Sequence, residues 1–521
     1  MLTFQLTPYA DASWQAVDGG YTAADGASRV TPINHPMVEH AAYTDSVRTL
    51  IVVRERATGR ASLDSSIHYA GPEILDQVAA EASTWPGDHV LVHTAPGMPV
   101  TVTAGAARTT PLYLSADAER LYGSWDMADL KQFATGLHAV EVARLLVFRP
   151  RYSTQTVFEG IHRLTERATA HFGGALHISY PAPALHHDPR ELADDADVLG
   201  VFVELLHEAL DARPWQPATT VFHLSGGFDS GCIGTTAAKR HPHQIRTAAL
   251  LIDGPGRAQQ ERRRAGMRTV LPFADDMTID AAKLLPLDPE CPRVRGKLIS
   301  LYDEPLFFPF SQLTAKLART GTTAIVTGLG GDELVALSES EAPHLDLNRM
   351  PVMPPWTGPA AVTLLEYADV GTAPPAPINS MTLLALESTA PPLLREGIWP
   401  IHPFANPPLV EFGEQLPYGW RDFKQLQRRL LERLGLGMDV VRPIQRESFA
   451  EIVQTALAGS GTTLLERMLA DGSPLFDRQL IDADAVAAAV KTMTEGRYTE
   501  GQESKLLEVV HLDLAVRAFL S

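Results

Sequence analysis

Two short Gly-rich stretches carry the most specific chemistry in this sequence. The first, Leu224-Ser225-Gly226-Gly227-Phe228-Asp229-Ser230, follows an apolar run and opens a helical pattern. Glycines there let backbone N–H groups come close to an anion. The helix start adds the positive end of its dipole, and Ser225 and Ser230 add hydroxyl donors. No Gly-Lys-Ser/Thr follows, so this is not a Walker A loop. The second stretch, Thr327-Gly328-Leu329-Gly330-Gly331-Asp332-Glu333, also follows an apolar run. Asp229 and Asp332 are hard oxygen donors and suit magnesium.

Such turns need a sheet that delivers them to one edge. Thr219 to Leu224, Arg246 to Ile252 and Thr322 to Thr327 read as short buried strands. Helical patterns near Ser230 to Arg240 and Ala258 to Thr269 lie between them. That alternation predicts a parallel sheet with crossover helices, and ligands bind beyond the carboxyl ends of such strands. The last third, from about Pro377, is mostly helical, with apolar spacing of three and four in Phe423 to Leu434 and in Lys505 to Leu520. The first 180 residues differ. Thr49 to Arg54, His89 to His93, Pro99 to Ala104 and Pro111 to Ser115 read as strands punctuated by Gly and Pro. A proline-rich linker, Pro181 to Pro189, then leads into a helical pattern from Arg190 to about Arg213.

Composition narrows the function classes. A chain of 521 residues calls for two domains. The net charge of -18 argues against nucleic-acid binding, which needs a basic face. Cys232 and Cys291 are the only cysteines, which excludes a multi-thiolate zinc site and fits a reducing compartment. Cys232 reads as a small core residue, and His186 and His187 fall in the linker without a metal role. No signal peptide or transmembrane run is present, so the expected location is cytoplasmic.

The first loop resembles that of the N-type ATP pyrophosphatases, and the two motifs together resemble the asparagine synthetase superfamily. Tyr302-Asp303-Glu304-Pro305 is similar to the family's acidic-Pro segment, and His402 to Pro417 to its stretch ending in Leu-Pro. Gln445-Arg446-Glu447-Ser448-Phe449 is similar to the segment carrying the family's catalytic lysine, with arginine at that position. Arg446 can stabilise an anion but cannot donate a proton near neutral pH. In the first half, Arg108 to Ser115, Gly123 to Leu130 and Val157 to Leu164 resemble a class II glutamine amidotransferase domain.

The resemblance implies an α/β fold: an N-terminal Ntn-hydrolase-like α/β/β/α sandwich over residues 1–180, a linker at 181–195, and an ATP-pyrophosphatase domain with a helical C-terminal part at 196–521. It implies an ATP site formed by Leu224, Ser225, Gly226, Gly227, Asp229, Ser230, Leu250, Gly328 and Gly330, with adenine against Ala248 to Leu251. Mg2+ would sit on Asp229 and Asp332, and Glu387 and Arg446 would be catalytic.

An amidotransferase of that class uses a cysteine at position 2, and this chain has Leu2. Glutamine hydrolysis then lacks its nucleophile, and the amine is expected from the substrate itself. That points to a lasso-type cyclase. It adenylylates a side-chain carboxylate of a precursor peptide and closes a macrolactam with the peptide's own α-amine, releasing AMP and pyrophosphate. Holding both groups together removes barrier on the order of 7 kcal/mol or more. A leader-binding protein and a leader peptidase are the implied partners. The alternatives are a β-lactam synthetase, with Leu329 where that family has tyrosine, an asparagine synthetase-like small-molecule amide synthetase, and an inactive ATP-binding homologue.

Overall fold

The computed structural model describes residues 1–8, 13–147, 150–338, 340–341, 353–445, 447–495, 497 and 503–521. Its N-terminal part holds two seven-stranded sheets. The first is antiparallel and runs, in spatial order, through His162–Arg163, Tyr113–Ala116, Leu121–Ser124, Leu2–Leu6, Arg29–Pro32, Gly20–Ala23 and Trp14–Val17. The second is mixed: Leu176–Ser179, Thr169–Phe172, Val100–Ala104, His89–Thr94, Thr49–Glu55, Val38–Thr44 and Ile67–Tyr69. Leu2–Leu6 and Val100–Ala104 alternate buried and half-buried residues, as strands with one face in a core do. Phe4 and Leu6 meet Ile51, Val53 and Val92 in one apolar cluster between the sheets. Helix Pro72–Ser83 covers the second sheet, and the 3-10 turn Met127–Phe133 covers the first.

The C-terminal part is built on a five-stranded parallel sheet, in the order Asp276–Asp280, Arg246–Leu251, Thr220–His223, Ala324–Val326 and Trp399–Ile401. Its inner strands are buried on both faces and read as continuous apolar runs. Chain order reverses at Thr220–His223, whose two neighbours come later in the sequence on opposite sides. That is a topological switch point, where a crevice opens beyond the strand ends. Helices Phe228–Arg240, Arg257–Val270, Phe307–Ala318 and Ser380–Leu394 follow the strands or connect them. A second core joins the C-terminal helices to the N-terminal sheets, with the rings of Phe158 and Phe519 stacked at 4.6 Å.

The helix expected from Arg190 begins only at Val198 and ends at Asp211. Asp197 caps it by accepting from Gly200 N at 2.9 Å, and residues before that cap are tied elsewhere. Arg190 N donates to Gln415 O at 3.1 Å and His186 bonds Glu414 at 2.6 Å, which straps the linker to the C-terminal part. Among the described residues no helix is long and apolar enough to cross a membrane.

A buried carboxylate joins the two parts. Glu55, in the strand Thr49–Glu55, accepts from Arg213 at 3.0 and 3.1 Å, from Trp399 Nε1 at 2.8 Å and from Asp88 N at 2.6 Å. Removing its charge leaves the buried Arg213 guanidinium unpaired. Glu55→Gln is therefore expected to lower unfolding free energy by about 3–5 kcal/mol, measured by urea denaturation.

Candidate functional site

The first loop is shaped by its own side chains. Ser225 N donates to Ser230 Oγ at 3.1 Å, the two hydroxyls lie 2.9 Å apart, and Gly227 N donates to Ser225 Oγ at 3.2 Å. Gly226 has φ +97°, a conformation that favours glycine. Gly227 caps the helix Phe228–Arg240 without any side-chain hydrogen bond. First-turn N–H groups there are available to an anion.

The second motif packs directly on the first. A Cβ on Gly328 would lie 2.7 Å from Ser230 N, and one on Gly331 would lie 2.4 Å from Asp229 Cγ. Only bare backbone fits between the two turns. Thr327 Oγ1 lies 2.7 Å from His402 Nδ1, which ties the base of this turn to the neighbouring strand.

Asp229 and Asp332 converge on one cation, Lys424. Its Nζ lies 2.6 Å from Asp229 and 2.7 Å from Asp332. Burial disfavours the ammonium charge, but the carboxylates outweigh burial and raise its pKa. Phe423 and Lys424 have φ values of +46° and +56°, so the helix expected from Phe423 starts at Gln425. The left-handed pair halts the helix and leaves the lysine facing the two aspartates. Gln427 adds a hydrogen bond to Asp229 at 3.3 Å and one to Gly331 O at 3.1 Å.

Gln260, in the helix Arg257–Val270, stitches the loop to the next strand. Its Nε2 donates to Ser225 O at 3.0 Å and Leu250 O at 3.1 Å, and its Oε1 accepts from Ile252 N at 2.9 Å. A cavity of about 290 Å³ opens at these strand ends, walled by His223, Ser225, Leu250, Ile252, Thr327 and Leu329. Leu306, Phe310 and Phe449 close it with apolar surface. Burial pushes the His223 imidazole down to about 4, so it is neutral at pH 7.

Ser225, Leu250 and the two aspartates thus come together at one sheet edge, with Gly226, Gly227, Gly328 and Gly330 forming the turns beside them. Glu387 falls outside the cavity wall. Its carboxylate accepts from Tyr113 Oη at 2.6 Å and from Arg163 Nε at 2.7 Å, and all three side chains are buried. Burial, and then this carboxylate, hold the Tyr113 phenol well above its usual pKa. A carboxylate engaged this way ties the two halves of the chain together, and the structure brings Glu387, expected from sequence to be catalytic, to this junction. Arg446 lies outside the described residues. Its neighbours are anchored by the helix Arg257–Val270: Gln259 donates to Gln445 O at 2.7 Å, and Arg263 pairs with Glu447 at 2.7 Å. Cys232 is fully buried in its helix, as a core residue.

The description Asparagine synthase, a protein family, matches residues 202–518, more than half of the chain. The chain belongs to the asparagine synthase family. None of the curated proteins matches it. Family membership brings ATP-dependent amide formation, and the loop, the crevice and the lysine-bridged aspartates lie within the matched residues. Sequence reasoning missed Lys424, Gln260 and the partners of Glu387. Lys424 carried one signal, its place beside a run of helical spacing, but nothing marked the backbone reversal.

The aspartates fit magnesium: both are oxygen donors already gathered around a single positive charge. Among the described residues no group of three or more His, Cys, Asp or Glu is placed to hold a metal, so such an ion would take its other oxygens from phosphate and water. When bound, it supplies charge neutralisation to phosphate oxygens. Lys424 and the first-turn N–H groups provide the chain's own share of that charge.

Gly331→Ala forces Asp229 aside and is expected to cut turnover at least about hundredfold, the scale of a lost electrostatic contact, with ATP consumption as the readout. His402 is buried, and burial pushes its imidazole down to about 3. Its stabilising contribution is complete above the unfolded value near 6.5 and is lost as pH falls from there towards 3. The melting-temperature gap between the unaltered chain and His402→Asn should narrow over that window.

Proposed function

We propose that the chain is a peptide macrolactam synthetase of the lasso type. It activates a side-chain carboxylate of a precursor peptide as an acyl-adenylate and joins it to the peptide's own α-amine. One observation carries the reading. The chain's two cysteines, Cys232 and Cys291, are buried in the C-terminal part, while the N-terminal sheets hold Leu2 buried in a strand. The N-terminal sheets thus offer no thiol to release ammonia from glutamine, and the amine arrives with the substrate.

The chemistry divides between the two ends of the crevice. Loop N–H groups and Lys424 bind and orient the polyphosphate, so that pyrophosphate leaves from a site already matched to its charge. Leu306, Phe310 and Phe449 give the cavity an apolar wall, which limits the water next to a hydrolysable acyl group held there. The precursor peptide, a leader-binding protein and a leader peptidase are the proposed partners. A small-molecule amide synthetase, of the β-lactam or asparagine type, is the second reading. The modest cavity volume of about 290 Å³ favours it.

Incubation of the chain with Mg-ATP and linear peptides bearing an internal Asp or Glu is expected to give a product lighter by one water, together with AMP and pyrophosphate. Intact-mass and nucleotide measurements check this. ADP in place of AMP, or peptide of unchanged mass, would sink the reading. Asp229→Ala should abolish turnover.

A further inference from the structure

Three consecutive residues, Tyr302, Asp303 and Glu304, meet three different surroundings. Tyr302 Oη accepts from Val157 N at 2.9 Å, and the Arg163 guanidinium lies 4.8 Å from its ring centre. Asp303 accepts from Arg395 at 2.6 Å, and the same arginine grips Asp126 at 2.6 and 2.7 Å. Tyr302 is thereby tied to the N-terminal part directly, and Asp303 through Arg395. Glu304 faces the other way. Its N–H donates to Ser388 O at 2.9 Å, and its side chain lines the cavity beyond the ATP loop.

The Glu304 carboxylate has one hydrogen bond, from Leu306 N at 3.3 Å, and no ion-pair partner among the described residues. The other carboxylate on the wall, Glu447, is already paired with Arg263. No lysine or arginine is among the described lining residues, and His223 is neutral. The buried Arg293 guanidinium lies behind Glu304 and partly offsets its charge, while the described cavity wall around the carboxylate, formed by Leu250, Leu306, Phe310 and Phe449, offers it no cation. The complementary guest is a cation small enough to enter an apolar cavity. The amide-forming reaction supplies one, because an amine nucleophile is protonated in water.

We propose, resting on the reading above, that Glu304 is a catalytic residue that receives the attacking amine. It holds the ammonium group against the activated carboxylate and accepts a proton from it. The ammonium sheds one proton to become a free amine. The nitrogen lone pair then forms the C–N bond, the C–O bond to AMP breaks, and AMP leaves with that electron pair. The second N–H proton is lost as the amide forms. Glu304 takes one of the two protons, and solvent takes the other. Burial raises the Glu304 pKa, which suits proton acceptance. The ties of Tyr302 and Asp303 to the N-terminal part hold the carboxylate in place.

The test separates activation from ring closure. The unaltered chain, Glu304→Gln and Glu304→Asp are incubated with Mg-ATP and the linear peptides, with hydroxylamine to trap the acyl-adenylate as hydroxamate. Ring closure is read by mass without hydroxylamine. Glu304→Gln should keep hydroxamate formation within about threefold and lose ring closure at least about hundredfold, the scale of general-base catalysis. Glu304→Asp should recover part of it. Ring closure by Glu304→Gln within threefold of the unaltered chain overturns the assignment. So does a parallel loss of both activities with a raised KM for ATP, which would place Glu304 on the nucleotide. If the unaltered chain forms hydroxamate but closes no ring, the macrolactam reading fails, and the Glu304 assignment falls with it.

Discussion

The site depends on two turns that touch through bare backbone. Gly328 and Gly331 lie so close to Ser230 N and Asp229 that a single methyl group would force them apart. Two aspartates are thereby brought within reach of one ammonium. Like charges at that spacing repel, and Lys424 offsets the repulsion before any ligand arrives. The arrangement is preorganised for an anion: donors and cation stand in place, so little reorganisation is needed when one arrives. The left-handed residues Phe423 and Lys424 are the strained element that makes this geometry possible.

Buried charges also organise the junction between the halves. Glu55 with Arg213, Glu387 with Arg163, and Arg395 with Asp126 and Asp303 all cross or adjoin it. Buried ion pairs of this kind are weak evidence for net stability, but each fixes an orientation that apolar packing alone would leave loose. The N-terminal part is thus mechanically relevant to the ATP half. Through Tyr302 and Asp303 it reaches a segment that lines the cavity.

Much of this was legible in the sequence. The Gly-rich loops announced themselves because glycine at a strand end has few other physical reasons. The parallel sheet followed from short β-branched runs alternating with helical spacing, and its three inner strands fall within a residue or two of expectation, while the edge strands Asp276–Asp280 and Trp399–Ile401 were not expected. What stayed hidden was contact across long separations. Arg163 and Tyr113 meet Glu387 over 224 and 274 residues, and no local pattern encodes such a meeting. Lys424 was hidden for the opposite reason. Its role turns on two backbone angles at a helix start, where spacing alone predicts one more helical residue. The helix before the parallel sheet was expected from Arg190, but Arg190 to Asp197 holds four acidic residues and little apolar surface, Arg190 N bonds Gln415 O, and the helix begins only after the Asp197 cap.

Trp399 shows a different consequence of the junction. The strand Trp399–Ile401 ends the parallel sheet, and an open strand of that kind is a template for pairing with another molecule. Here its indole is fully buried, hydrogen-bonded to Glu55 and stacked on His35, whose ring also bonds Thr323 O at 3.0 Å. The N-terminal sheets therefore act as a guard against self-association. A version of this chain cut down to the family-matched segment would expose that flank and favour aggregation, so the ATP half is not a portable cassette.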